Sequence, residues 1–167
     1  EKQPIYAIVN TSTAPTPSYV QRIENQNLHG MNGMEYIMIT HPNLVEETER
    51  LANFHRDRGI VTEVVTTDKI FNEFSSGSQD VTGIRDFIKL MYDRGMASGD
   101  TLNYVLLFGD ASYDYKDITE NNTNVVPIYQ SYNSNRPTVS YCSDDYYAIL
   151  SDTEGYWDLN SIDEDLD

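Results

Sequence analysis

Residues 36–67 read YIMITHPNLVEETERLANFHRDRGIVTEVVTT and decide the fold. The stretch begins and ends with runs of strand length, 36–40 and 61–67, and the segment between them repeats its apolar and small side chains at helical spacing. Pro42 ends the first run, Asn43 can cap a helix, and Gly59 ends that helix. A strand, a helix and a second strand in this order predict a parallel pair joined by a right-handed crossover.

The same alternation continues to residue 110. Asp68 is predicted to cap a short helix, and Asp80 is predicted to begin a long amphipathic helix that Gly95 closes. Residues 104–110, YVLLFGD, then read as a third apolar strand. The predicted fold class is therefore α/β, a small three-layer parallel sheet with helices covering both faces.

The two ends of the chain lack this alternation. Residues 1–35 are rich in Pro, Ser, Thr and Asn, and we interpret them as a strand at 5–9 and then an irregular lead-in from a preceding domain or linker. Residues 36–167 are interpreted as one α/β subdomain. Beyond Asp110 the sequence predicts a long functional loop or a set of edge elements.

A hairpin is predicted near the end of the chain. The segments DYYAIL, 145–150, and GYWDL, 155–159, flank a turn signal that contains Gly155. This hairpin would follow the last core strand of the sheet.

Charge and cysteine content exclude several classes of partner and of covalent crosslink. The chain has 167 residues, with 11 Lys plus Arg against 27 Asp plus Glu and a net charge of −16. No basic cluster is present to neutralise phosphates, so nucleic acid is not the predicted partner. The single cysteine, Cys142, cannot close an internal disulfide. The first residues do not resemble a signal peptide, so we expect that any signal was removed or lay upstream.

Acidic and aromatic residues supply the candidate site. Ligands of parallel α/β sheets bind at the carboxyl ends of the strands, where Asp110 follows the third strand. Its carboxylate would either accept backbone N–H groups of the following loop or serve a metal or a proton transfer. The candidate cleft or loop residues are Asp110, Tyr113, Asp114, Asp144, Asp145 and Tyr146.

Calcium is the metal that these carboxylates would hold. The candidate ligands are Asp110, Asp114, Asp144 and Asp145, since calcium takes six to eight oxygen ligands. Their spacing does not fit an EF-hand loop, because the central Gly and the terminal Glu are missing. A solvated acidic surface is the alternative interpretation.

Cys142 is a weak candidate nucleophile. Any of His29, His41 and His55 could in principle serve as its base, but Asp144 and Asp145 follow the thiol closely and disfavour the thiolate. We therefore expect a packed free thiol. No nucleotide-binding, serine hydrolase or zinc protease motif occurs.

Several segments in order carry a family resemblance. IENQNLHG, YIMITHP, FNEFSSGSQD, YVLLFGDASYDYK and SDDYY together resemble the start of the catalytic domain of the gingipain-type cysteine peptidases. The resemblance runs from about Ile23 to the end of the chain. It implies a Rossmann-like, caspase-like subdomain that requires no cofactor. It also implies that the catalytic His–Cys dyad lies in a second subdomain beyond this chain, so that no residue here is catalytic and the fragment alone is inactive.

Within that family the resemblance is to the sortase-like members of the type IX secretion system of Bacteroidota. These enzymes are thought to remove carboxy-terminal sorting signals from secreted cargo and to pass the acyl group to a lipopolysaccharide amine. The implied partners are the missing catalytic subdomain of the same protein, cargo proteins with sorting signals and type IX secretion components. The implied location is the extracellular face of the outer membrane or the medium. Two alternatives remain, a secreted gingipain-like endopeptidase and a non-enzymatic, calcium-stabilised binding module.

Overall fold

The structure is a computed structural model that describes residues 22–114, 123–131 and 140–150 and the isolated positions 10, 12, 14, 16, 118 and 138. The main strands are β1 (Tyr36–Thr40), β2 (Thr62–Thr66) and β3 (Tyr104–Phe108). The helices are α1 (Val45–Arg56), α2 (Thr67–Phe74) and α3 (Val81–Ser98). Two short strands, β4 (Tyr129–Gln130) and β5 (Cys142–Ser143), follow, and 3₁₀ turns span Leu28–Gly30, Pro42–Leu44 and Asp145–Tyr147.

The three main strands form a parallel sheet in the order β2-β1-β3. Ile39, in the central strand, pairs with Val65 on one side and Leu107 on the other. The strands lie within the predicted apolar runs, with β2 and β3 each two residues shorter than predicted, and the α/β fold class is confirmed.

Alternate side chains of β1 face different helices. Ile37 and Ile39 are fully buried in a cluster with the apolar face of α3, which contributes Ile84, Phe87, Ile88 and Met91. The opposite face meets α1, where the Thr48 hydroxyl donates to the Thr40 hydroxyl at 3.1 Å. The central strand is therefore covered on both sides, as its continuous apolar run predicts.

The edge strand β3 corrects the prediction that both faces of the whole sheet are covered. Tyr104 is 59% exposed and Val105 is 39% exposed, although the strand sequence is apolar throughout. An apolar pattern indicates what a strand is able to bury, whereas the elements packed on that strand decide how much it buries: the other edge strand, β2, is largely buried, and β3 is not.

Three helix boundaries also differ from their predictions. Asn43 does not cap α1, because it lies inside the 3₁₀ turn Pro42–Leu44 and Leu44 occupies the cap position of α1. Asp80 caps α3 as expected, its carboxylate accepting from the Thr82 N–H at 2.8 Å. Gly95, however, lies inside α3, and Gly99 ends the helix with a left-handed φ of +90°. Asp68 is not a cap: α2 begins at Thr67, and Asp68 lies in its first turn.

The predicted hairpin is wrong in its first arm. Residues 145–147 form a 3₁₀ turn, and the antiparallel pair is formed instead by β4 and β5, with Tyr129 opposite Ser143. The second arm, 155–159, lies outside the described residues, as does the strand predicted at 5–9. The edge elements predicted after β3 are therefore present, at a different position.

Part of the predicted lead-in contributes to the core. Leu28 is 6% exposed and Met34 is 2% exposed, and both belong to the cluster that α3 builds with the sheet. The domain boundary at residue 36 stays a prediction.

Candidate functional site

Three loop segments assemble beyond the carboxyl end of β3. The N–H groups of Val125 and Val126 donate to the Asp110 carbonyl at 3.0 and 3.1 Å. The Gln130 side-chain amide donates to the Ser112 carbonyl at 3.3 Å, and Gln130 pairs with Cys142 in the β4–β5 ladder. These bonds connect 110–114, 123–131 and 140–150 into one layer of loops, which brings most of the predicted site residues to this end of the sheet.

Asp110 organises the first of these loops. One carboxylate oxygen accepts from the Ala111 N–H at 3.0 Å, and the other accepts from the Thr123 hydroxyl at 2.8 Å. This is the loop-capping arrangement, the first of the two roles open to Asp110 in the sequence.

Asn124 and Thr123 were not predicted as site residues. Asn124 accepts the Ser112 N–H at 3.1 Å through its side-chain oxygen, and Thr123 holds Asp110. The signal that could have found them is the Asn- and Thr-rich segment 121–124, whose short polar side chains commonly hydrogen-bond loop backbone.

Tyr146 joins the loop layer to α3. Its ring stacks on Tyr129 with centroids 4.8 Å apart, and its hydroxyl lies 3.2 Å from the Thr82 hydroxyl. The Arg85 guanidinium lies 5.6 Å from the Tyr146 ring centroid, a cation–π distance. Arg85 also donates to the Ile149 carbonyl at 2.9 Å. The candidate Tyr146 is thus a packing residue of this layer.

Tyr147 is the buried anchor of the same segment. Its hydroxyl donates to the Pro127 carbonyl at 2.5 Å, and its ring packs in the core. Burial raises the pKa of Tyr147, and the charge of Asp144 raises it further. The hydroxyl is therefore held in its protonated, donating form.

The remaining candidates differ in exposure. Tyr113 is exposed and Asp114 is buried. Asp145 accepts the Ser143 hydroxyl at 2.8 Å. Burial raises the pKa of Asp144, and the neighbouring Asp145 charge acts in the same direction.

The structure does not gather these carboxylates into a metal cluster. In the part of the chain that the structure describes, no group of three or more His, Cys, Asp or Glu side chains is placed to hold a metal ion. Calcium binding by Asp110, Asp114, Asp144 and Asp145 stays a prediction.

Cys142 is exposed, so the prediction of a packed free thiol is wrong: the thiol lies in the two-residue strand β5 of a two-stranded sheet, which leaves it uncovered by the described residues. The histidines have other partners. His41 accepts the Asn43 N–H at 3.2 Å through Nδ1, His29 bonds Glu73, and the His55 ring contacts Tyr36. Among the described side chains, no hydrogen bond joins Cys142 to a histidine. Within the described ranges, the arrangement is a layer of loops whose side chains hydrogen-bond one another and the loop backbone.

Comparison with known proteins decides the family. The family model described as Peptidase family C25 matches residues 30–163. The chain belongs to peptidase family C25. This C25 chain is similar to a solved structure, that of dimeric latent PorU from Porphyromonas gingivalis, with a TM-score of 0.72 and 35% sequence identity. The alignment covers 86% of this chain and 14% of the PorU chain.

Membership of family C25, the gingipain family, confirms the resemblance found in the sequence. No curated protein matches the chain. None of the helices within the described ranges is long and apolar enough to cross a membrane. Because the C25 chain spans only 14% of the PorU structure, the activity of the whole protein belongs to the proposals below.

Proposed function

We propose that this C25 chain is the amino-terminal subdomain of the catalytic region of a PorU-like sortase. The parent protein would be a cysteine peptidase that removes carboxy-terminal sorting signals from type IX secretion cargo and transfers the acyl group to an amine. It would act at the extracellular face of the outer membrane or after secretion. The observation that carries the proposal is 35% identity to PorU over 86% of the chain.

The subdomain itself would support catalysis without performing it. Cys142 is exposed, and Asp144 and Asp145 follow it closely, whereas a reactive thiol needs an electropositive setting or a nearby base. In the loop layer, Asp110 and Tyr147 instead form hydrogen bonds with other residues of the same layer. Its proposed role is to buttress the catalytic subdomain and to shape the substrate cleft through residues 110–118 and 140–148.

An exposed edge supports the proposed docking of further chain from the same protein. β3 pairs with β1 on one side, and it exposes Tyr104 and Val105. Natural sheets seldom leave a long apolar edge strand uncovered, because its free backbone groups and apolar side chains promote association. The catalytic subdomain of the parent protein is the partner that we propose for this edge.

Processing of cargo tests the proposed function. The parent gene is deleted in the organism that carries it, and the carboxyl termini of secreted cargo are read by mass spectrometry. We expect cargo to keep its sorting signal in the deletion strain and to lose it when the intact gene is restored. Normal cargo processing together with lost hydrolysis of a general protein substrate would instead identify a secreted endopeptidase.

The variant Cys142→Ser tests whether this subdomain supplies no reacting group. The parent protein carrying Cys142→Ser should process cargo at the wild-type rate, because we assign the thiol no role in the reaction. An alkylating thiol probe should label Cys142 in the chain alone no faster than a free cysteine peptide at neutral pH. Rapid labelling that His41→Ala abolishes would overturn the assignment of Cys142 as an inert thiol.

A further inference from the structure

The segment that precedes the sheet is held on α2 and α3 by two charged side chains. We call residues 26–31 the strap. Its centre is the 3₁₀ turn Leu28–Gly30, in which the Met31 N–H donates to the Leu28 carbonyl at 3.1 Å. The strap places Leu28 in the core cluster and leads into β1.

Glu73 of α2 holds the donor groups of the strap. One carboxylate oxygen accepts from the Leu28 N–H at 2.7 Å and from the Gln26 side chain at 3.0 Å. The other accepts from the His29 N–H at 3.0 Å and from its Nδ1 at 2.7 Å. A carboxylate presents about four lone-pair sites, so this one is fully used by the strap.

Arg94 of α3 holds the acceptor groups of the strap. Its guanidinium donates to the Met31 carbonyl at 2.6 Å and to the His29 carbonyl. Glu73 and Arg94 therefore grip adjacent backbone groups of one short segment from two different helices. Charge-assisted bonds of this kind are about twice as strong as neutral ones.

An aromatic contact completes the attachment. The His29 ring stacks on Phe74 with centroids 4.4 Å apart and an interplanar angle of 11°. Phe74 in turn meets Phe87 of α3 edge to face at 5.7 Å. The same strap residue thus contacts the carboxylate of Glu73 and the aromatic end of α2.

We propose that the strap fastens the incoming chain to α2 and α3 and opens as a single unit when Glu73 loses its negative charge. Protonation of the carboxyl group turns one of its two acceptor oxygens into a hydroxyl donor. It also removes the charge that strengthens the remaining bonds to two backbone N–H groups and the His29 ring, while the sheet keeps its own ladder bonds. The inference does not depend on the proposed sortase function.

The surrounding charges favour Glu73 as the group that controls opening. His29 is its ionic partner, and Arg94 contacts the strap carbonyls. The groove between the strap region and α2 is also lined by the charged residues Arg22, Glu24, Asp68 and Lys69. In the salt bridges of the described residues, Glu73 is paired with His29 alone.

Backbone amide exchange in Glu73→Gln tests the proposal at neutral pH. Gln has nearly the shape of Glu but carries no charge, so the variant has a neutral side chain at a pH at which the wild-type carboxylate is ionised. We expect the Leu28 and His29 amides to exchange about tenfold faster or more, because their bonds lose the charge assistance and one of the two acceptor oxygens becomes an NH₂ donor, while the Ile37–Ile39 amides keep their protection. Glu47→Gln is the matched control, because Glu47 forms an exposed pair with Arg50 and should change neither set.

Arg94→Lys provides a second variant. Lys retains the charge but cannot reproduce the forked contact with His29 and Met31, so the same strap amides should exchange faster. Unchanged strap exchange in both variants would overturn the proposal. Equal loss of protection in the strap and in β1 would also overturn it, because the strap would then not open as a separate unit.

Discussion

At the scale of single residues, Glu73 predicts an acid-dependent loss of stability. Burial by itself raises the Glu73 pKa, but hydrogen bonds from Leu28, His29 and Gln26 outweigh it and lower the pKa from 4.5 to about 2. A carboxyl group with a depressed folded pKa stabilises the fold fully above the unfolded value. We therefore expect up to about 3 kcal/mol of its contribution to disappear as the pH falls from about 4.5 to 2.

Urea unfolding over that pH range measures the effect of Glu73. The difference in free energy of unfolding between wild type and Glu73→Gln should be largest near neutral pH and should shrink as the carboxyl group is protonated. A difference that stays constant with pH would show that the ionised form has no special role.

Tyr147 gives a second prediction for one residue. Tyr147→Phe keeps the buried ring but removes the donor to the Pro127 carbonyl. We expect a loss of about 1–2 kcal/mol in the free energy of unfolding, because a buried acceptor loses its partner. Tyr141→Phe, at an exposed tyrosine, should change it much less, and equal effects in the two variants would contradict the assigned bond.

At the scale of elements, Gly95 reverses the usual effect of helix propensity. Ala is about 1 kcal/mol better than Gly inside a helix, so Gly95→Ala would stabilise α3 if nothing else mattered. A Cβ at position 95, however, would lie 2.4 Å from the Asp100 carbonyl oxygen and 3.2 Å from the Leu102 nitrogen. We expect a net loss of about 1–3 kcal/mol, since backbone atoms must shift.

Thermal melting of paired variants checks the prediction for Gly95. Gly83→Ala is the control within α3, because the nearest atoms to its new Cβ belong to the Ser75 side chain at 3.1 and 3.2 Å. The melting temperature should fall clearly more for Gly95→Ala. A rise for Gly95→Ala would contradict the close approach of the Asp100 carbonyl.

The same glycine shows how far sequence reasoning reaches for an element. Asp80 was predicted as the start of α3 because a short acidic side chain satisfies the first free N–H groups, and that chemistry is local. Gly95 was wrongly predicted as the end because two glycines, 95 and 99, both suit a helix end. The structure distinguishes them, because position 95 contacts residues 100–102 whereas Gly99 has the left-handed φ of a helix end.

At the scale of the whole molecule, the exposed edge of β3 predicts self-association of the chain by itself. Val105→Lys should lower the average mass seen by sedimentation at high protein concentration, because a charge on an edge strand opposes pairing. Val61→Lys is the control at an exposed valine just before β2, and it should leave the mass unchanged. Equal effects of the two substitutions would show that β3 is not part of the self-association interface.

The candidate site shows a similar division between sequence and structure. Asp110 could be located at a strand end from the apolar run before it, because that run fixes where the strand stops. Its partner Thr123 could not be predicted, since the two residues are joined by a loop whose path the sequence pattern does not encode. The stacking of Tyr146 on Tyr129 belongs to the same class of long-range contact.

The sequence by itself determined the three parallel strands, the two long helices and the family. The strands and helices follow from the spacing of apolar residues, and the family follows from the order of several short motifs. Both kinds of signal lie in short stretches of the sequence. The tertiary structure alone decided that β3 lies at the edge, that Leu28 enters the core and that Glu73 and Arg94 hold residues 26–31. These features depend on contacts between residues distant along the chain, whose geometry exists only after the helices have packed on the sheet.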